Sequence, residues 1–392
     1  MITKSQKVLL MAIRAALFGT KPSYPADTDW DEVVKEAKAQ AVLGIISPVI
    51  PVHDESVEQG KANYMRILYE QDQLIKLFDE HNIPCVILKG TAAAIYYPKP
   101  YLRAMGDVDI LVPRNKFYEA VEIMESNCYI YTHGKIDGVY NQKESRHIGY
   151  SKNGIEFELH HHFSSKGFDV DDILEKAIQK REYCEVNGFR FPMLPEIENG
   201  LVLIGHVNHH LKNNNLGLRQ IIDWEMYFDS VMKKEAWSKF AFLVKNAGLL
   251  RLTIYITLLC EKHLGLSKKI HLKNINDLII DEHLKAILTD GNFGKREVSL
   301  TKMERKIRDN IYGIRKEGFF IHFQEVGLYS WKLCKKHPSL KPFAFIYGML
   351  RSSYNGIIAL FKTREIAKHI NEAKYRQVLY RKIGIKFEAK KK

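Results

Sequence analysis

The sequence predicts an α+β protein: a small mixed β-sheet core flanked by an N-terminal helical unit and a larger C-terminal helical unit. Three observations predict it. Apolar residues recur at helical spacing over residues 57–82 and again over most of the chain beyond 171. Strand-type runs cluster between 85 and 161, where GDVDILV and IEFELHH alternate with period two. Asn153-Gly154, between two such runs, is a strong hairpin signal. The implied division is an N-terminal helical region over 1–81, a catalytic core over 82–165, and a C-terminal helical region with a basic tail over 166–392.

Residues 8–18 read as an amphipathic helix. Arg14 interrupts the apolar run and no small-residue cleavage site follows, so a signal peptide is not expected. Residues 30–41 form a second helix behind the capping candidates Asp27, Thr28 and Asp29, and 57–82 a third. The texture changes at 82–84. Cys85-Val86-Ile87-Leu88 is a short strand, and Thr91 is expected to cap a helix over 91–97 that Pro98 and Pro100 break. In the strand over 106–112, Val108, Ile110 and Val112 share one face and Asp107, Asp109 and Leu111 the other. Residues 114–127 return to helix, and strands follow over 128–132, 147–151 and 155–161. Beyond 171 only a hairpin around Asn187-Gly188 interrupts consecutive helices over 198–212, 218–232, 237–247, 249–263, 320–336 and 343–361.

At 392 residues the chain is too long for one ordinary core and suits two or three packed units. Its net charge is +13, but residues 361–392 hold eleven Lys/Arg against three Glu, so +8 of the excess lies in the tail. The remaining body is only weakly basic. Five widely spaced cysteines with no CxxC disfavour both a disulfide framework and a zinc ribbon, and favour reduced thiols in a cytoplasmic protein. No run reaches the ~18 apolar residues a membrane span needs.

Asp107 and Asp109 are the sharpest chemical signal. Carboxylates two residues apart on a strand lie on one face with Cα atoms about 6–7 Å apart. Such a pair repels itself unless a cation sits beside it, and Mg²⁺ prefers carboxylates combined with substrate phosphates. Leu88-Lys89-Gly90-Thr91 runs from strand to helix, where Gly90 admits a phosphate close to the backbone and helix-end N–H groups favour an anion. Lys89 and Arg103 add positive charge. A third carboxylate to orient or deprotonate an attacking hydroxyl is offered by Glu156 or Glu158, which share a face.

A glycine turn opening a helix, an Asp-x-Asp strand and an acidic residue on a later strand together resemble the polymerase-β-like nucleotidyltransferase superfamily. More narrowly, VILKGTAAAIYYPKPYLRAMGDVDILVP, FELHHHF, LIGHVNHHLKNNNLGLRQIIDWEMYF and TDWDEVVKEAKAQAVLGIISPVI resemble the bacterial uncharacterised nucleotidyltransferase family over roughly residues 5–235. The resemblance implies a two-metal-ion enzyme that moves a nucleoside monophosphate from an NTP to an acceptor. Asp107, Asp109 and Glu158 would hold Mg²⁺ (or Mn²⁺) and carry catalysis, and Lys89, Gly90, Thr91 and Arg103 would bind the triphosphate. Glu158, directly before Leu159-His160, matches the third carboxylate better than Glu156. This chain has Lys-Gly-Thr where the superfamily commonly has Gly-Ser or Gly-Gly-Ser.

Two other readings stand beside this one: a non-catalytic module binding a nucleotide or partner on the same fold, and a tRNA-directed transferase using the basic tail. A small-molecule or protein acceptor is favoured over nucleic acid because the body is close to neutral. His206 and His210, at i and i+4, could bind a metal with Asp223, but no HExxH supports a hydrolase. Packing is the commoner role for such histidines; alternatively His210, Arg219 and Asp223 bridge the helical region to the sheet.

Overall fold

The computed structural model describes residues 2–133, 135–136, 139–140, 146–163, 170–212, 216–267, 277–292, 318–331, 333–334 and 337–362. The chain divides into two compact units, Met1–Arg296 and Glu297–Lys392.

The first unit opens with helices α1 (Lys4–Phe18), α2 (Trp30–Ala39), α3 (Leu43–Ile46) and α4 (Glu55–Glu80). A Thr3–Gln6 capping box starts α1, and the Asp29 carboxylate accepts from the Glu32 N–H to start α2. Next come β1 (Val86–Leu88), α5 (Gly90–Ala94), β2 (Val108–Leu111), α6 (Phe117–Ser126) and β3 (Ile130–His133). A separate two-stranded ribbon, β4 (Lys135–Ile136) and β5 (Val139–Tyr140), precedes β6 (His147–Lys152) and β7 (Ile155–His160). Asn153 and Gly154 turn between β6 and β7 with φ of 51° and 74°, the left-handed pair that a tight hairpin requires. Then follow α7 (Asp171–Ile178), β8 (Glu182–Val186), β9 (Phe189–Met193), α8 (Glu196–Lys212), α9 (Leu218–Val231), α10 (Lys234–Asn246), α11 (Leu250–His263) and α12 (Asp277–Asp290).

Seven strands form one mixed sheet in the order β3-β6-β7-β2-β1-β9-β8. The β8–β9 hairpin, which lies beyond residue 165, joins this sheet through a parallel pairing of β9 with β1. One face carries Val108, Ile110, Ile148, Tyr150, Phe157 and Leu159, packed against Tyr64, Leu68 and Phe78 of α4 and Phe117 and Met124 of α6. Truncating a side chain buried as fully as Phe157 costs about 3–5 kcal/mol. Period two sends the alternate residues Asp109, Glu158 and His160 to the opposite face.

Thr91 does not cap α5 as expected. Lys89 (φ 51°, ψ −135°) and Gly90 (φ 29°) turn the chain sharply, so α5 begins at Gly90 with Lys89 at its N-cap. Thr91 lies inside the first turn, buried, and its hydroxyl donates to Gln71 Oε1 at 2.8 Å. The positive φ at Lys89 costs on the order of 1–3 kcal/mol, and such strain clusters at functional sites.

In the second unit, helices Phe319–Ser330 and Ala344–Lys362 pack through Gly327 and Gly348. A Cβ at either glycine would fall 1.8–2.0 Å from a carbonyl oxygen of the facing helix. Phe320 stacks on Phe345 and Trp331 on Tyr347. The sequence's basic tail beyond Lys362 lies outside the described residues. Among the described residues, no helix is long and apolar enough to cross a membrane.

Candidate active site

The polar face of the sheet forms the floor of a cavity that α8 and α9 wall. Parallel pairing of β2 with β7 puts Asp109 directly beside Glu158. Antiparallel pairing of β1 with β2 sets Leu88 opposite Asp109, so the next residue, Lys89, arrives at the same point. Its ammonium lies 2.6 Å from Asp109 Oδ1. Antiparallel pairing of β6 with β7 sets His147 across from His160. His160 Nε2 reaches Asp109 Oδ1 at 2.9 Å and Glu158 Oε2 at 3.2 Å. Asp107, one residue before β2, is exposed at the lip.

Of the residues the sequence singles out, Asp107, Asp109, Glu158, Lys89, Gly90 and Arg103 line this one cavity, and Thr91 does not. Glu156 is exposed and also absent from the lining. Arg103 is buried and forked onto Asp223, Nε to Oδ1 and Nη2 to Oδ2, both at 2.7 Å. The Tyr97 hydroxyl donates to the same Asp223 carboxylate at 2.7 Å. Asp223 therefore ties α9 to the segment before β2, which is the bridging role the sequence allows it. It does not join the histidines.

Those histidines form the facing wall. His206, His209 and His210 of α8 line the cavity, with His206 Nε2 and His210 Nε2 2.6 Å apart. Sequence periodicity could have placed His160, which continues the Glu156–Glu158 alternation. His147 and Arg146, also in the lining, carry no local signal; only strand register brings them in. The three consecutive histidines after Leu159 part company. His160 joins the acids, His161 packs against Phe117 in the core, and His162 meets Asp171.

The electrostatics fit a cation-and-phosphate site. Burial opposes the charge on Lys89, but Asp109, Asp107 and Glu158 outweigh it and hold the ammonium above its usual range. Burial would raise Glu158, yet the hydrogen bond and charge of His160, then His147 and Lys89, pull it down to about 2. Burial would lower His160, but its bonds to Asp109 and Glu158 raise it. Burial, then Lys89, pushes His206 well below its usual value; burial, then Arg146, lowers His209 to about 3. His206 and His209 are thus neutral near pH 7, facing a charged Lys89 and an ionised Glu158.

These residues fit a divalent cation. Asp109, Glu158 and His160 each offer one ligand atom, all within 4.8 Å of one another. The Lys89 ammonium already supplies Asp109 with the positive neighbour its buried carboxylate demands. Asp109 and Glu158 supply oxygen donors of the kind Mg²⁺ prefers, while Asp107, at the lip, lies outside this close group.

No curated protein matches the chain. Among solved structures it is similar to the antibiotic-resistance factor ANT(2'')-Ia, at 12% identity and a TM-score of 0.32, over 47% of this chain and 94% of that one. It is also similar to an antigenic nucleotidyltransferase-like protein from Paracoccidioides brasiliensis, at 13% identity and a TM-score of 0.30, over 52% of this chain and 94% of that one. A family profile described as uncharacterised nucleotidyltransferase matches residues 26–265, the segment that holds the whole cavity, and the chain belongs to that family.

Proposed function

We propose that the cavity transfers a nucleoside monophosphate from an NTP to an acceptor hydroxyl or phosphate. The acceptor oxygen forms a bond to the α-phosphorus while the bond to the bridging oxygen breaks, releasing pyrophosphate. The observation that carries this reading is the convergence of Asp107, Asp109 and Glu158 on the one cavity that Lys89 enters from the neighbouring strand.

Asp107, Asp109 and Glu158 would hold Mg²⁺, two ions with Asp107 and Asp109 as the principal ligands; bound there, Mg²⁺ neutralises triphosphate charge. Lys89, on a turn held at positive φ, meets the phosphates as a point charge. With five residues, α5 contributes little dipole, so phosphate recognition rests on Lys89 and the Gly90 backbone more than on the helix end. Arg146 and Arg219 extend the positive rim. Glu158, whose carboxylate is held ionised, orients or deprotonates the acceptor. Arg103 acts through Asp223 to position the segment leading into Asp107. An acceptor of small-molecule or protein origin suits the weakly basic body.

Release of pyrophosphate from each of the four NTPs, with Mg²⁺ and a panel of acceptors, tests the class. Glu158→Gln should lower turnover by about 10²-fold or more while leaving NTP affinity nearly intact. Glu156→Gln, on an exposed side chain outside the cavity, should stay close to wild type. The reverse ranking would overturn the assignment of Glu158. Nucleotide binding without turnover on any acceptor would favour the non-catalytic reading.

A further inference from the structure

We propose that the chain carries a transition-metal site, suited to Zn²⁺, made by His133, His147 and Glu158. It lies at the edge of the sheet beside the acidic cavity. The three residues come from three adjacent strands, β3, β6 and β7. His133 Nε2 and His147 Nε2 are 3.3 Å apart; His147 Nε2 lies 3.5 Å and His133 Nε2 4.0 Å from Glu158 Oε1. Zinc bonds of about 2.0–2.1 Å to nitrogen in a tetrahedron place ligand atoms about 3.3–3.4 Å apart. Octahedral Mg²⁺ at about 2.0–2.1 Å sets neighbouring ligands near 2.9 Å and prefers oxygen. Two edges of the triangle match the zinc spacing, the third at 4.0 Å must close slightly, and the two imidazoles favour Zn²⁺ over Mg²⁺.

Two further features shape this triangle. His133 pairs with Gly149 across the β3–β6 ladder, after a register shift that follows Tyr131. A Cβ at Gly149 would stand 2.1 Å from His133 Cε1, so the absent side chain is what lets the ring lie over β6 toward His147. On its other side, His133 Nδ1 is 3.0 Å from Thr132 Oγ1. A proton on Nδ1 donated to that hydroxyl leaves Nε2 as the ligand atom, the outer-shell arrangement that orients metal-binding imidazoles. Three protein ligands leave a fourth, exchangeable position, open to solvent because His133 is half exposed.

Glu158 belongs to both constellations. Its Oε2 faces His160 in the acidic cavity, while Oε1 faces the histidine pair. An ion between His133 and His147 would fix this carboxylate by Oε1. The site does not depend on the nucleotidyl-transfer reading, and its test needs no turnover.

Co²⁺ serves as a visible probe of a Zn²⁺ site. Titrated into the nucleotide-free full chain, it should give an intense tetrahedral d–d band saturating at one equivalent, which Zn²⁺ abolishes by displacement. His133→Ala, at an exposed position, should weaken Co²⁺ binding at least about tenfold. Gly149→Ala should do the same although it removes no ligand, with circular dichroism checking the fold. Asp107→Asn should keep the band; its loss of turnover would speak only to the nucleotidyl-transfer reading. No tetrahedral band in the wild type would overturn the site. A band that survives His133→Ala and disappears in His206→Ala would overturn it too, by assigning the ion to the α8 pair.

Discussion

At the cavity, Lys89 and Arg103 are both basic and both sit against an acid, yet their geometry differs. Lys89 meets the cavity's own Asp109 through one short contact on a strained turn. Arg103 is forked onto Asp223, away from the three acids, with both side chains almost fully buried. Removing one partner of a buried, bidentate pair leaves the other charge uncompensated and costs about 3–5 kcal/mol. Arg103→Ala should therefore lower the unfolding free energy of the first unit by that amount, read from urea denaturation. Arg103→Lys should not restore it, because an ammonium cannot reproduce the fork. A variant as stable as wild type but defective in NTP affinity would return Arg103 to direct triphosphate binding. Sequence alone grouped Arg103 with the phosphate ligands because proximity in the chain and positive charge are all it exposes. The competing carboxylate stands 120 residues away.

Among the elements, β2 and β7 were legible because their chemistry is periodic. Alternation places Asp107 with Asp109, and Glu156 with Glu158, each pair on one face. Periodicity left Glu156 and Glu158 open, the resemblance favoured Glu158, and the parallel register sets that residue beside Asp109. What periodicity could not reveal is every long-range pairing: β9 beside β1, His147 opposite His160, and α8 facing the acids. Residues 198–212 read as a helix in sequence, with packing the commoner role for its histidines and metal binding the lesser one. The fold half-buries His206 near Lys89 and His209 near Arg146. His209 has a folded value of about 3 against 6.5 in a free side chain, so the unfolded chain takes up a proton that the native state refuses. Stability from this group is complete above pH 6.5 and declines as pH falls from 6.5 toward about 3, by up to about 1.4 kcal/mol per pH unit. His206 adds in the same direction. Denaturation midpoints measured from pH 7 to 4 should fall, and His209→Gln should flatten the slope. An unchanged slope in that variant would mean His209 is solvated and chargeable in the native state.

For the whole molecule, charge separates a weakly basic body from a strongly basic tail. Deleting residues from Arg381 onward removes Arg381, Lys382, Lys386 and Lys390 to Lys392, six positive charges against Glu388. If the acceptor is a small molecule or protein, its KM should be unchanged by the truncation. If it is a nucleic acid, affinity should fall and its salt dependence flatten, because fewer counterions are released. Tight, salt-sensitive tRNA binding by the truncated chain would instead move the acceptor to RNA read by the body itself. Nucleotidyl transfer in this cavity rests on the acids of the sheet, and metal binding addresses them most directly. Calorimetric titration of Mg²⁺, with and without a non-hydrolysable NTP analogue, should show binding that the nucleotide strengthens and that Asp107→Ala/Asp109→Ala abolishes. Mg²⁺ binding of unchanged affinity and nucleotide dependence in that double variant would contradict it.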